Sequence, residues 1–188
     1  SFMPHFIATP ALVGMLFLVL SPTTGFVNRI LVFAGMQPIH FMIEPRWFRA
    51  VYILSGTWQE IGWGAILYLA QLSRIDPELY EAATVDGASR LRKLWHISLP
   101  GLKPVVSVLL ILRMGGLLSV GAEKVILMYN PYTYETADVI ASFVYRRGLQ
   151  LADFSYGTAV GLFNSIISLA LVLAANRVAK RVSEWTLL

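Results

Sequence analysis

Cysteine is absent from this chain of 188 residues, and charged residues are scarce, at 14% of the sequence. The absence of cysteine excludes disulfides and thiolate metal sites, although it identifies no compartment. Phosphate-binding loops of the Gly-x-x-x-x-Gly-Lys-Ser/Thr type, HExxH metal motifs and Gly-x-Ser-x-Gly elbows are also missing, and the three histidines lie far apart, at positions 5, 40 and 96. We therefore expect no catalytic residue, no metal site and no cofactor in this chain.

Long apolar stretches are what the sequence has instead. It is 56% hydrophobic with a mean hydropathy of +0.64, which is typical of membrane proteins. Residues 2–20, 50–72, 104–122 and 156–176 form stretches of 19 to 23 residues, close to the ~20 that a helix needs to cross a bilayer. Their only strong charges are Glu60 and Arg113, and Pro4 and Pro10 interrupt the first. The sequence predicts one all-α, polytopic transmembrane helical bundle over residues 1–188.

The distribution of lysine and arginine predicts the orientation. The connection 73–103 and the tail from residue 177 together hold eight of them in 43 residues, whereas the connections 21–49 and 123–155 hold six in 62. Cytoplasmic segments carry the excess of positive charge, so residues 73–103 and the C-terminus are predicted to be cytoplasmic. The basic balance of +4 thus indicates membrane topology, and a nucleic-acid partner is not expected.

The two outer connections have helical patterns. Residues 24–36 have an amphipathic period typical of a helix lying in the membrane interface. Residues 136–148 begin with Thr136 as a capping residue and end with two arginines before a glycine, which predicts a second helix. The chain starts at Ser1, with no basic region before the first apolar run and no cleavage site after it, so we expect further helices upstream.

A polar segment interrupts the apolar sequence in its middle: YEAATVDGASRLRKLWHISLP, residues 80–100. Asp76, Pro77 and Glu78 precede it and have the pattern of a helix start, with a capping carboxylate, a proline in the first turn and a following acid. Gly87 predicts the end of this helix, because glycine accepts the left-handed conformation. Residues 88–96 predict a second short helix, and Pro100 leads back into the membrane. Two short helices at an angle would thus lie across the cytoplasmic end of the bundle.

The order Glu81-Ala82-Ala83, Asp86-Gly87-Ala88, Ile97 and Leu99-Pro100 resembles the EAA signature of permease subunits of binding-protein-dependent ABC importers. The resemblance continues through further stretches and is nearest to the carbohydrate-uptake branch, in particular to permeases for complex sugars or polysaccharide fragments. These stretches are Pro4-His5-Phe6, Gly25-Phe26-Val27-Asn28, Trp58 with Ile61-Gly62-Trp63, residues 130–148, Gly161-Leu162-Phe163-Asn164 and Asn176-Arg177.

The resemblance implies an importer core with its N-terminal helices missing, in the bacterial inner membrane and crossing it several times. It implies a related but different second permease, two ATPase subunits that bind ATP and Mg, and an extracytoplasmic solute-binding protein. Residues 76–100 would be the coupling segment that inserts into a cleft of the ATPase. The family usually has an aromatic residue three before the isoleucine, where this chain has Leu94 beside Trp95; either Trp95 fills the cleft or Leu94 makes a smaller contact.

The resemblance and the local chemistry together give a set of ATPase-coupling residues. Glu81 would offer a carboxylate to the ATPase, the two alanines would permit close approach, and Gly87 would set the angle between the short helices. The predicted coupling residues are Glu81, Ala82, Ala83, Asp86, Gly87, Leu94, Trp95, Ile97 and Pro100.

Polar residues inside the predicted spans are the candidates for a substrate path, because polar groups in lipid are costly and often functional. They are Trp58, Gln59, Glu60, Arg113 and Asn164. Glu60 and Arg113 have opposite charge at similar depth, so they either lock two helices together or line the path. Trp58 and Asn164 have helix packing as their competing interpretation. Two other functions stay open at this point: a proton-coupled transporter or channel that uses Glu60 and Arg113, and an intramembrane enzyme.

Overall fold

The computed structural model describes residues 1–118 and 121–182, and within these ranges the chain is helical, with no β-strand. Ten α-helices lie in the described ranges: α1 Thr9–Val19, α2 Phe26–Phe33, α3 Pro45–Leu72, α4 Pro77–Val85, α5 Arg90–Lys93, α6 Leu99–Gly115, α7 Ala122–Met128, α8 Tyr134–Ala137, α9 Ile140–Val144 and α10 Phe154–Val182. A 3₁₀ turn, Met3–Phe6, precedes α1, and π-helical turns occupy Leu94–Ser98 and Tyr145–Gln150. This agrees with the predicted all-α fold class.

The three longest helices, α3, α6 and α10, contain or overlap predicted spans. α3 has 28 residues and includes 50–72, and α10 has 29 residues and includes 156–176. Two stretches in the described chain, Arg90–Gly115 and Phe154–Ala179, are helices long and apolar enough to cross a membrane. Many of the large apolar side chains on α6 and α10, such as Leu112 and Leu169, are exposed, as expected of surfaces that face lipid or partner helices.

The first predicted span, residues 2–20, is not one helix. α1 has 11 residues, which corresponds to roughly 16 Å at 1.5 Å per residue, about half of a ~30 Å hydrocarbon core. The helix begins where Pro10 fits, in its first turn, and Pro4 lies in the separate 3₁₀ turn. Proline lacks a backbone N–H and is accepted at a helix start but not in its interior, so residues 2–20 form a turn followed by a helix; that they cross the membrane stays a prediction.

The third predicted span, residues 104–122, is displaced along the chain. α6 begins at Leu99 and ends at Gly115, and residues 116–118 form a turn, while 119–120 lie outside the described residues. Two consecutive glycines, Gly115 and Gly116, coincide with this end, and glycine is a poor helix former. The helical part of this span thus begins earlier and ends earlier than predicted.

The outer connections contain shorter helices than the sequence pattern indicated. α2 confirms a helix within 24–36. The helix predicted over 136–148 is instead divided into α8, α9 and a π turn, and Thr136 lies inside α8 and does not cap the helix. The break falls at Asp138, whose backbone is extended and whose carboxylate accepts hydrogen bonds from Arg146.

The chain divides into two compact units. The first comprises Ser1–Gly62 and Ser119–Gly161, and its core is an apolar cluster of Val13, Phe41, Met42, Phe48, Val51, Met128 and Ala137. The second comprises Trp63–Leu118 and Leu162–Leu188, and its buried cluster is Ile111, Ala175 and Ala179. The predicted coupling segment, residues 76–100, lies wholly in the second unit.

Candidate functional site

The polar segment begins with α4, whose two ends are fixed by local chemistry. Asp76 caps the helix, because its Oδ1 accepts the backbone N–H of Glu78 at 2.9 Å, and Pro77 occupies the first turn. At the other end Gly87 has a φ of +71°, and the next backbone N–H, of Ala88, donates to the carbonyl of Ala83 at 2.9 Å. The helix start at Asp76 and the glycine stop predicted from the sequence are both confirmed.

The chain beyond Gly87 differs from the prediction. The Oγ of Ser89 accepts the N–H of Arg92 at 3.3 Å and caps α5, but the helix continues through the π turn Leu94–Ser98 into α6. A separate second helix over 88–96 was therefore wrong. The wider π turn immediately precedes Pro100, whose ring would clash with the carbonyl four residues earlier in a regular α-helix, so the chain bulges there and does not break.

The segment presents apolar side chains on its surface. Val85 is 88% exposed, Leu91 68% and Trp95 66%, and Glu81 and Ala82 of the same segment are exposed as well. Leu94 is 44% exposed, so Trp95 is the more exposed of the two residues that could take the place of the family's aromatic residue. The other predicted coupling residues divide by exposure: Asp86, Gly87 and Pro100 are exposed, while Ala83 and Ile97 are half-buried. Exposed apolar side chains in a segment that is predicted to lie outside the membrane are typical of a docking surface for another protein.

Hydrogen bonds inside the segment involve residues that were not predicted from the sequence. The hydroxyl groups of Tyr80 and Ser98 are hydrogen-bonded at 3.0 Å, and Nζ of Lys93 donates to Oγ1 of Thr84 at 2.6 Å. Tyr80 and Thr84 are four residues apart, which places them on one face of α4. That spacing was visible in the sequence, but their partners on the following helix were not.

Three predicted substrate-path residues lie together on α3. Gln59 donates through Nε2 to the carbonyl of Ile7 at 2.8 Å, so it holds the chain ahead of α1. Oε1 of Glu60 is 3.3 Å from Nδ1 of His5, and both side chains are partly exposed. Trp58 lines a cavity of about 300 Å³ whose other walls are apolar side chains of α1 and α3, together with Ser55. This environment favours packing for Trp58.

The other two substrate-path candidates lie in the second unit. Arg113 is exposed near the C-terminal end of α6. The Oδ1 atom of Asn164, on α10, is buried and accepts no hydrogen bond from the described residues. Most buried polar atoms in proteins have a hydrogen-bond partner, so a buried acceptor without a donor is unusual. The proposed pair of Glu60 and Arg113 joins residues of different units and stays a prediction.

The outer connections are held by buried polar contacts. Asn28 is 1% exposed, and its Nδ2 donates to the carbonyls of Leu20, Ser21 and Ile39, while its Oδ1 accepts the N–H of Ile39 at 2.7 Å. Nδ2 of Asn130 similarly donates to the carbonyl of Met42 at 2.8 Å. Asn28 belongs to a stretch that the family resemblance includes, yet its role as an anchor between loops depends on contacts that the sequence does not display.

Arg146 and Asp138 form a charged cluster in the same region. Nη1 of Arg146 donates to Oδ1 of Asp138 at 2.9 Å, and Nη2 donates to the other carboxylate oxygen. These hydrogen bonds hold the pKa of Asp138 below its usual value and raise that of Arg146. The guanidinium also lies 4.7 Å from the ring centre of Tyr134, a cation–π contact. The cluster thus fixes the break between α8 and α9.

Comparison with known proteins decides which family has this arrangement. A family model described as a binding-protein-dependent transport system inner membrane component matches residues 1–186. The chain belongs to this family. Membership agrees with the resemblance seen in residues 81–100.

Relatives and solved structures refine the comparison. The chain is 45% identical over 183 residues to the polygalacturonan/rhamnogalacturonan transport system permease protein YteP of Bacillus subtilis (strain 168), which covers 97% of this chain and 57% of that protein. It is 39% identical to Protein LplB of the same organism, over 97% of this chain and 58% of that protein. The chain therefore spans less than two thirds of the length of these curated relatives.

Two crystal structures have the same fold. One is of a bacterial ABC transporter involved in the import of the acidic polysaccharide alginate; a chain in it is 45% identical, with a TM-score of 0.94, over 97% of this chain and 64% of that chain. The other is of a bacterial alginate ABC transporter in complex with an alginate pentasaccharide-bound periplasmic protein, with 44% identity and a TM-score of 0.96 over 99% of this chain and 65% of that one. The fold is that of an ABC importer permease.

Proposed function

We propose that this chain is a multi-pass permease subunit of an ATP-driven importer, which moves a sugar or oligosaccharide across the bacterial inner membrane. The observation that carries the proposal is the surface of residues 76–100. Glu81, Ala82, Val85 and Trp95 are exposed on a capped helix and the π turn that leads into α6. That surface suits a cleft of a soluble partner, and the helix behind it is long and apolar enough to cross a membrane.

The partners follow from this proposal. Two ATPase subunits bind ATP and Mg and dock on the 76–100 segment, so the chain itself is not an enzyme. A related but different permease completes the path, and an extracytoplasmic binding protein delivers the solute. The solved alginate transporter in complex with a periplasmic protein supports the last of these by similarity. Closure of the ATPase pair would move the docked segment and, through it, the membrane helices.

The substrate is proposed to be an oligosaccharide from an acidic polysaccharide. One similar protein is named for polygalacturonan and rhamnogalacturonan, and the solved transporter imports alginate, an acidic polysaccharide. Asn164 stays a candidate for contact with the sugar, because its buried Oδ1 accepts no hydrogen bond from the described residues; a sugar hydroxyl would reach it only when the helices around it move apart. Of the others, Gln59 already donates to the carbonyl of Ile7.

The test uses the complete transporter in proteoliposomes, with its ATPase subunits and binding protein. Glu81→Ala removes the exposed carboxylate, and Gly87→Pro demands a φ near −65° where the backbone has +71°. We expect both to abolish the stimulation of ATPase activity by binding protein loaded with oligogalacturonate. Glu135→Ala, at an exposed glutamate on α8, is the matched control and should retain stimulation. Normal stimulation in both coupling variants, with the protein folded in the membrane, would overturn the assignment.

The proton-coupled alternative has one supporting observation, the contact of 3.3 Å between His5 and Glu60. The contact places an imidazole and a carboxylate, two groups that can pass a proton between them, within reach of each other. Uptake that resists vanadate but stops when the proton gradient is dissipated would favour this alternative. Uptake that requires the ATPase subunits and is blocked by vanadate would exclude it.

A further inference from the structure

Two side-chain hydrogen bonds tie α4 to the helix that follows it. The hydroxyl groups of Tyr80 and Ser98 lie 3.0 Å apart, and Nζ of Lys93 donates to Oγ1 of Thr84 at 2.6 Å. The hydroxyl of Thr84 in turn donates to the carbonyl of Tyr80 at 2.6 Å, so its oxygen is oriented to accept from the lysine. Both bonds start from the same face of α4, one turn apart, and reach the continuous helix that becomes α6.

A third contact joins the same region to the end of α3. Nε2 of Gln71 donates to the carbonyl of Gly101 at 3.0 Å. A Cβ atom on Gly101 would lie 2.4 Å from Cδ1 of Ile75, so the absence of a side chain at this position permits the close approach. The loop that enters α4 and the first turn of α6 are therefore in direct contact.

These contacts divide α4 into two faces. Glu81 and Val85 are exposed and belong to the docking surface of the proposed function, whereas Tyr80 is half-buried and turned toward α6. Without cross-links, a short helix that ends in a left-handed glycine could reorient about its ends when it is pushed. With them, α4 and the start of α6 move together, because displacing one requires breaking hydrogen bonds to the other.

We propose that the Tyr80–Ser98 and Thr84–Lys93 hydrogen bonds are the connection through which displacement of α4 is passed to α6. The four residues are positioning residues: they touch neither ATP nor sugar, and they convert docking of a partner into movement of a membrane helix. This inference rests on the proposed function. It predicts that loss of the bonds separates ATP hydrolysis from transport while the ATPase subunits still bind.

The experiment measures radiolabelled oligogalacturonate transported per ATP hydrolysed, in proteoliposomes of the complete transporter with its binding protein. Tyr80→Phe and Ser98→Ala each remove one hydroxyl, and each should lower this ratio about fivefold, the effect of one hydrogen bond of ordinary strength. The double variant, Tyr80→Phe with Ser98→Ala, should lower the ratio of transport to ATP hydrolysis no more than either single variant does, because both substitutions remove the same hydrogen bond. Ser98→Thr keeps a hydroxyl and should restore coupling. Tyr132→Phe, at a tyrosine 73% exposed on the outer side, is the control.

A variant that lacks both bonds, Tyr80→Phe with Lys93→Met, makes the outcome decisive. A ratio equal to that of wild type in this variant would overturn the inference. Loss of ATPase binding in Tyr80→Phe would overturn it as well, since the hydroxyl would then shape the docking surface and transmit nothing. If the proposed function itself is wrong, the result differs, because the wild-type complex would then show no ATP-driven uptake.

Discussion

Asn28 provides a quantitative test of how the outer connections are held. Its two amide N–H groups are shared among the carbonyls of Leu20, Ser21 and Ile39 at 3.0–3.1 Å, and its Oδ1 accepts the N–H of Ile39 at 2.7 Å. At a net ~1 kcal/mol for each of about three hydrogen bonds, Asn28→Ala should destabilise this region by about 3 kcal/mol. This free-energy change corresponds to a roughly 100-fold larger fraction of molecules in which the region is locally open to amide hydrogen exchange.

The assay is amide hydrogen exchange of the peptide that contains Ile39, measured on the assembled transporter in nanodiscs. Asn28→Ala should accelerate exchange of the Ile39 amide roughly 100-fold, since the amide loses its acceptor. Asn28→Asp is nearly isosteric but places a second oxygen against three carbonyls, so it should be at least as damaging as alanine.

Thr24→Ala is the matched control. Its Oγ1 donates to Oγ of Ser21 at 3.1 Å in an exposed position, where loss of a hydrogen bond should change stability by less than about 0.5 kcal/mol. If Asn28→Ala and Thr24→Ala accelerate exchange equally, or if Asn28→Asp exchanges like wild type, then the amide contacts do not hold the loops and the reasoning is refuted.

Two further predictions concern a close approach and an ion pair. Gly101→Ala should reduce assembly of the complex, because the new Cβ would lie 2.4 Å from Cδ1 and 2.9 Å from Cγ1 of Ile75. Ile75→Ala removes both atoms and should restore assembly; assembly unaffected by Gly101→Ala would contradict the contact. Arg146 lowers the pKa of Asp138, so the pair contributes stability above the ordinary carboxyl value of 3.8 and loses it as pH falls through the lower folded value. The excess in Tm of wild type over Asp138→Asn, followed by tryptophan fluorescence, should be constant from about pH 5 to 7 and shrink below about pH 4; an excess that persists there would contradict the predicted sign.

Local patterns predicted helix α4, which carries the proposed coupling residues Glu81, Ala82 and Ala83. Asp76, Pro77 and Gly87 act through contacts within a few residues, so their effect can be deduced from the order of the sequence alone. The π turn before Pro100 was not predicted, because the sequence shows that proline is difficult in a helix but not whether the chain breaks or bulges around it. The helix within residues 2–20 is shorter than the apolar stretch for a related reason. Composition reports the hydropathy of the stretch, whereas Pro10 determines where the helix begins.

The sequence by itself determined the membrane class, the all-α fold and the family, since these depend on composition, on the length of apolar stretches and on the motif at residues 81–100. Tertiary structure decided which polar side chains hold the molecule together. Ile39 is 11 residues from Asn28, Ser98 is 18 from Tyr80, and Gly101 is 30 from Gln71. Hydrogen bonds require a separation near 3 Å, and only the folded path of the chain brings such distant residues to it.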